Sequence, residues 1–251
     1  MITPKNTDII HKVWLCRILT SIADDPMLAS LLRFKGGTCA AMREVVDRFS
    51  VDLDFDLIDA SKNDIVQKHL ETIFKKMKLT IKDRSEKVPQ YFLKYPSSEA
   101  VKAHTPDTRN TIKVDVTFPP PASNDYEPIR LIEIDRIIQC QTIPTMFANK
   151  LVALTERYDR YGTIAGRDVF DIHTLLLGGY DFKKEILEER TGMSAKEYLG
   201  RALEFVEKNV TQTIIDQDLN TLLPPKQFHH IRMGLKQETV MMLKEKIKQM
   251  P

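Results

Sequence analysis

Residues 51–57 read Val-Asp-Leu-Asp-Phe-Asp-Leu, and this alternation of acid and apolar residue is the first chemistry the chain offers. A period of two places Asp52, Asp54 and Asp56 on one face of a strand and Leu53, Phe55 and Leu57 on the other. Carboxylates crowded on one face repel one another, and their pKa values rise unless a cation sits among them. A hard divalent ion answers that repulsion: Mg2+ takes carboxylate oxygens at about 2.0–2.1 Å and shares its remaining positions with phosphate and water. A solvated strand face is the plainer reading of alternating charge in general, but the neighbouring residues favour chemistry. Gly36-Gly37-Thr38 precedes the acids by a turn and a short helix. Glycine lets a backbone approach a phosphate closely, and amides at a helix N-terminus attract anions.

A third acid fits the same geometry. Asp115 lies between two valines in Ile-Lys-Val-Asp-Val-Thr-Phe and shares its strand face with Lys113 and Thr117. If the two strands are neighbours, about 4.8 Å apart, Asp52, Asp54 and Asp115 can converge on a pair of metal ions. Two ions about 3.5–4 Å apart activate an attacking hydroxyl and stabilise a leaving pyrophosphate. From spacing alone, an exposed strand residue explains Asp115 equally well. Further along, Lys150 and Arg157 are seven residues apart, which puts them on one face of a helix about 10 Å from each other. Both are able to face a polyphosphate or an RNA backbone; an ordinary solvated face is the alternative. Arg167, Asp168 and Asp171 are close enough on one helix for local ion pairs. Arg48 is placed either to close over a nucleotide or to pair with Glu44 and Asp47. Arg33, Lys35 and Arg43 cluster around the glycines, where Lys35 and Arg43 would widen a positive rim for RNA phosphates.

The elements that must position these residues follow from periodicity and punctuation. Helices are expected at 7–22 (capped by Thr7), 26–32, 38–46 and 62–78, with strands at 51–57, 79–83, 90–95, 111–118 and 129–134. Pro119-Pro120-Pro121 ends the fourth of these strands, because proline cannot donate to a ladder. From about residue 145 the pattern turns helical: 145–158, 163–177, 181–190, 194–209 and 226–249. The expected fold is therefore α+β: a mixed-sheet core with flanking helices over residues 1–143, then a helical bundle over 144–251 that completes the cleft.

Composition sets the outer limits. The chain has 251 residues, 42% hydrophobic and 29% charged, with a net charge of +2. That is ordinary for a soluble globular protein, and too little positive charge to imply nucleic-acid binding without local clustering. Cys16, Cys39 and Cys140 are odd in number and widely spaced, which argues against a disulfide framework and a zinc site. No apolar run approaches the roughly 18 residues that span a membrane, and the N-terminus lacks the order of a signal peptide. A cytoplasmic protein without a membrane partner is expected. The six histidines do not gather with acids or cysteines. Gly-x-Ser-x-Gly, His-Glu-x-x-His and Gly-x-x-x-x-Gly-Lys motifs are missing, which weighs against a serine hydrolase, a zinc protease and a P-loop NTPase.

Lys-Gly-Gly-Thr, thirteen residues, then Asp-Leu-Asp-Phe resembles the signature of DNA polymerase β-like nucleotidyltransferases. Within that superfamily, RFSVDLDFDL is similar to the AbiEii/AbiGii toxin family of bacterial abortive-infection and toxin–antitoxin systems. KLVALTER at 150–157 resembles that family's lysine helix, and GRDVFDIHTLL at 166–176 resembles its Arg-Asp-x-x-Asp segment. The resemblance covers about residues 33–177. It implies the nucleotidyltransferase fold, with Asp52 and Asp54 as paired ligands of Mg2+ or Mn2+ and Asp115 as the third acid. Gly36, Gly37 and Thr38 would hold the incoming NTP, Lys150 would contact the triphosphate, and Asp168 would support that site. It further implies transfer of a nucleotide to an acceptor such as a tRNA 3′ end, and a cognate antitoxin as partner. A regulator that binds NTP without turnover, and a nucleotidyltransferase that modifies a protein or small molecule, are the rival readings.

Overall fold

The computed structural model describes residues 1–5, 8–85, 87–96 and 110–250. Its strands are β1 (Leu32–Lys35), β2 (Leu53–Leu57), β3 (Thr80–Arg84), β4 (Gln90–Lys94), β5 (Thr111–Thr117), β6 (Tyr126–Leu131) and β7 (Arg136–Gln141). They form one mixed sheet in the order β3-β4-β5-β2-β1-β7-β6. β2 runs parallel to β5 and β1 parallel to β7, and the other neighbours are antiparallel. The strands expected at 51–57 and 111–118 are thus neighbours, with Asp54 opposite Asp115.

The period of two decides which face does what. Leu32 and Phe34 in β1, Leu53, Phe55 and Leu57 in β2, and Ile112, Val114 and Val116 in β5 are all buried. The residues between them are polar: Arg33, Lys35, Asp54, Asp56, Lys113, Asp115 and Thr117. One face is therefore core, and the opposite face of the same strands carries the charge. The core joins the strands to α1 (Asp8–Ala23), α2 (Pro26–Leu31) and α4 (Asn63–Lys76), whose buried residues include Leu15, Ile18, Leu28 and Phe74. Phe34 packs on Phe55 with ring centroids 5.3 Å apart.

α3 (Gly36–Met42) joins β1 to the loop before β2. It starts on the glycines themselves, with Gly36 at φ 77, and ends sooner than the 38–46 expected, with Glu44 left-handed at φ 59 just beyond its end. The helical half comprises α5 (Ile143–Tyr161), α6 (Gly166–Leu177), α7 (Lys184–Thr191), α8 (Ala195–Asn209), α9 (Gln212–Leu219), α10 (Pro225–Ile231) and α11 (Leu235–Lys248). α5 is capped by Thr142, whose hydroxyl accepts from the Thr145 amide, and it ends at Gly162 in the left-handed conformation.

Three elements escape sequence reading. β1 is four residues that leave a helix without a break, and β7 joins the sheet through β1 while pairing along its length with the edge strand β6. α9 is only eight residues long and lies between the 15-residue α8 and the seven-residue α10. The helix expected over 226–249 is two helices, α10 and α11, with Gly234 capping the second. Thr7, the expected cap of the first helix, lies outside the described residues. Cys16, Cys39 and Cys140 are free thiols. Among the described residues, no helix is long and apolar enough to cross a membrane.

Gly166 lets α6 and α9 meet backbone to backbone. A Cβ there would lie 2.7 Å from the Ile214 carbonyl oxygen, an atom that moves only with its helix. Gly166→Ala is expected to lower stability by about 1–3 kcal/mol in urea unfolding. An unchanged midpoint and slope would show that the two helices are less tightly seated than this contact requires.

Candidate active site

β2 delivers its acids into a setting that discourages their charge. Asp54 is flanked by Asp52 in sequence and Asp115 across the strand pair. Burial, then the neighbouring Asp52 and Asp115 charges, push its pKa up to about 6 against the pull of Lys35 and Lys113. Gly36 is shaped around this carboxylate: a Cβ at that position would lie 2.3 Å from Asp54 Oδ2. Asp115 accepts from Lys113 Nζ at 2.5 Å and Gln90 Nε2 at 3.1 Å. The Lys113 amide approaches Asp52 Oδ1 at 3.4 Å. The chain thus brings Asp52, Asp54 and Asp115 to one place on the sheet. Among the described residues, no three His, Cys, Asp or Glu side chains are already spaced to hold a metal ion by themselves.

Asp56, the third acid of β2, is used differently. It is 1% exposed and accepts from Lys35, Tyr126 and Gln141 at 2.6, 2.9 and 2.8 Å. Thr38 is fully buried; its hydroxyl donates to the Asp52 carbonyl and lies at hydrogen-bond distance, 2.9 Å, from Ser50 Oγ. Its side chain therefore fixes the chain entering β2. Gly37 makes room for Arg48, whose guanidinium would lie 2.5 Å from a Cβ there.

A second charged network is built by Lys150 and Arg157 on α5, Asp168 and Asp171 on α6, and Arg48 before β2. Lys150 Nζ lies 2.9 Å from both Asp168 Oδ1 and Asp171 Oδ2. Arg48 grips Asp171 with two hydrogen bonds, 2.6 and 2.7 Å, and is 2% exposed. Arg157 approaches Asp168 Oδ2 at 3.4 Å, too long for a good hydrogen bond. Burial opposes ionisation of these carboxylates, but Arg48 and Lys150 hold Asp171 down to about 2, and Lys150 and Arg157 hold Asp168 below its ordinary value. Burial likewise opposes charge on Lys150, and Asp168 with Asp171 reverses that and raises its pKa.

The three cations of this network are not equally well held. Arg48 and Lys150 have close partners in Asp168 and Asp171, and Asp218 adds its charge beside Arg48. The loosest cation is Arg157: its side chain is 36% exposed, and its buried Nε has no hydrogen-bond partner among the described residues. Asp168 Oδ2 is likewise buried without one. On the sheet the sign reverses, with Asp52, Asp54, Asp56 and Asp115 set against Lys35 and Lys113. Beside this wall lies a cleft of about 700 Å³ lined on the sheet side by Lys35, Gly36 and Asp56 and on the helical side by Lys150, Arg157 and Arg190; Gly36 separates it from Asp54. Its size suits a nucleotide-sized ligand.

Several expectations change on this geometry. Asp168 and Asp171 pair across to α5 and to Arg48 instead of with Arg167. Arg48 closes neither on a nucleotide nor on Glu44 and Asp47. Arg43 is committed to Glu127 at 2.6 Å and to the Gln141 carbonyl, and Lys35 to Asp56, so the positive rim expected around the glycines does not form there. Positive charge sits on the opposite wall, where Arg190 joins it: this residue, with no signal in the sequence, bonds Asn149 at 2.7 Å and Glu156 at 2.5 Å.

Comparison with known proteins comes to the same place as the geometry. A family model described as nucleotidyl transferase AbiEii toxin, type IV toxin–antitoxin system, matches residues 17–239. No curated protein matches the sequence significantly. Two Helicobacter pylori crystal structures align over nearly the whole chain. One, provisionally assigned as a nucleotidyltransferase, has a TM-score of 0.60 at 19% identity, covering 98% of this chain and 99% of that one. The other, JHP933, has a TM-score of 0.56 at 18% identity, covering 98% and 96%. At these identities the likeness establishes the fold.

The Asp54 environment has a measurable cost. A carboxyl raised from 3.8 to about 6 in the folded state destabilises the fold wherever it must be ionised. The penalty is absent below the unfolded pKa, grows as pH rises between the two values, and is full above the folded one. Asp54→Asn is therefore expected to raise metal-free stability at pH 8 by about 1–3 kcal/mol, with the gain vanishing near pH 4. Denaturant unfolding in chelator at both pH values checks this. A loss of stability at pH 8 would contradict it.

Proposed function

The chain belongs to the AbiEii nucleotidyltransferase toxin family of type IV toxin–antitoxin systems, and from that premise we propose a cation-dependent transfer of a nucleoside monophosphate from an NTP to an RNA hydroxyl, a tRNA 3′ end. The protein is a nucleotidyltransferase, and membership in such a system implies an antitoxin partner. The observation that carries the finer reading is a pair of uncompensated charges on either side of Gly36: Asp54 crowded by like charge on the sheet, and Arg157 without a good partner on the wall of the cleft.

In this reading Asp52 and Asp54 hold Mg2+ or Mn2+, with Asp115 as the third acid. The fit rests on Asp54, whose carboxylate is crowded by like charge and cradled by Gly36. Mg2+ commonly takes one or two carboxylates and completes its shell with substrate phosphates, so a donor set of this size is sufficient when the nucleotide is present. When bound, the cation neutralises charge on the triphosphate and the attacking oxygen. The rest falls to the chain. Asp115 takes the proton of the acceptor hydroxyl as its oxygen bonds to the α-phosphorus. The bond from that phosphorus to the bridging oxygen breaks, and pyrophosphate leaves with the electron pair. The Gly36 and Gly37 backbone lies along the triphosphate, and Lys150 and Arg157 attract its departing end. Asp168 and Asp171 keep Lys150 charged and aimed across the cleft. Catalysis here is positioning and charge stabilisation. The helices after residue 143 form the wall that would seat the acceptor.

Incubation with each α-labelled NTP, a divalent cation and bacterial RNA tests this. Label is expected on an RNA band with the wild type and on none with Asp54→Ala. Label on a protein or small molecule would replace RNA as the acceptor class, and labelling that survives in chelator would refute the cation. Arg157→Ala is expected to raise KM for the NTP about tenfold, near 1.4 kcal/mol, with a smaller change in kcat. A fall in kcat at unchanged KM would remove Arg157 from ground-state triphosphate binding.

A further inference from the structure

Lys35 and Asp54 stand directly opposite each other across β1 and β2. Opposed side chains on one face of an antiparallel pair have Cβ atoms about 4.5–5.5 Å apart, and opposite charges so placed attract. These two nevertheless form no ion pair. The Lys35 ammonium turns to the diagonal neighbour, donating to Asp56 Oδ1 at 2.6 Å and to Thr117 Oγ1. The Asp54 carboxylate is left with no hydrogen bond or ion pair among the described residues.

Asp56 is built to win that competition. Besides Lys35 it accepts from Thr117 at 3.2 Å, Asn124 at 3.3 Å, Tyr126 at 2.9 Å and Gln141 at 2.8 Å. Those donors come from β5, β6, β7 and the loop between β5 and β6, so the carboxylate is fixed from several sides and is nearly inaccessible to water. Were Asp56 uncharged, the lysine would keep its charge and its place on β1. The nearest carboxylate on its own face would then be Asp54. An ammonium seated there would occupy the oxygens a divalent cation needs and cancel the charge that attracts it.

We propose that Asp56 is a positioning residue for cation binding: it holds the Lys35 ammonium off Asp54 and so keeps the Asp52–Asp54 face open to a divalent ion. This rests on the reading above that Asp52 and Asp54 take the ion. The sequence motif puts three acids in a row, and on this account they divide the work, two toward the ion and one toward the lysine that would displace it.

The test is Mn2+ binding to the full-length protein without nucleotide, followed by electron paramagnetic resonance. Asp56→Asn is expected to weaken Mn2+ binding about tenfold or more, the range for loss of a supporting partner. Lys35→Met alone should bind at least as tightly as wild type. The double variant should return towards the wild-type affinity, which a purely structural role for Asp56 would not allow. Wild-type affinity in Asp56→Asn, or a double variant as weak as Asp56→Asn, overturns the proposal. Weakened binding in Lys35→Met does so too, and that variant decides the matter even if Asp56→Asn folds poorly. Asp54→Asn is the control for the underlying reading: if it binds Mn2+ as wild type does, that reading fails and takes the proposal with it.

Discussion

The cleft exists because a buried arginine from one half of the chain closes on a buried aspartate from the other. Arg48 stands just before the acidic strand and Asp171 stands on α6, 123 residues later, and they meet through two parallel hydrogen bonds with both side chains almost wholly out of water. Two ions taken from water are expensive, and removing either one leaves the other uncompensated, at a cost of about 3–5 kcal/mol. This pair fixes the distance between the sheet and the helices, and Lys150 and Asp168 complete the same network. The Phe49 amide, which donates to the Leu222 carbonyl at 2.9 Å, adds a second tie beside it.

What the pair holds together is a deliberate imbalance. A buried network stabilises best when its charges are paired, yet Asp54 on the sheet and Arg157 on the cleft wall are each left poorly compensated. The acidic side carries a carboxylate that is reluctant to ionise, and the basic side carries an arginine without a well-formed partner. A protein selected only for stability would relieve both. A magnesium nucleotide relieves both at once, since its cation answers the acids and its phosphate tail answers the arginine. Ligand binding and the relief of internal repulsion are then one event.

The acidic strand was legible because alternation reports faces directly: Asp52 and Asp54 share a side by arithmetic, and Asp115 joins them once its strand is recognised by the same period. The neighbour relation between those strands was an inference from chemistry that the sheet bears out. The basic wall was less legible. Asp171 sits in the Arg-Asp-x-x-Asp segment, but nothing in the sequence links it to Arg48, and local spacing offered near neighbours instead, Glu44 and Asp47 for one and Arg167 for the other, because only local spacing is visible along a chain. β1 was hidden by its length, four residues running straight out of a helix, and with it went the position of Lys35 opposite Asp54. Thr38 shows what a motif leaves out: its hydroxyl bonds the Asp52 carbonyl and so ties the glycine turn to the acidic strand.

The most direct test of these uncompensated charges is a crystal structure with Mg2+ and an NTP whose α,β-bridging oxygen is replaced by methylene. The account predicts the ion against Asp52 and Asp54, and the β- and γ-phosphates directed at Lys150 and Arg157, with Arg157 drawn away from Asp168. Triphosphate bound elsewhere, or bound here with Arg157 still against Asp168 and no ion on the acids, would contradict it.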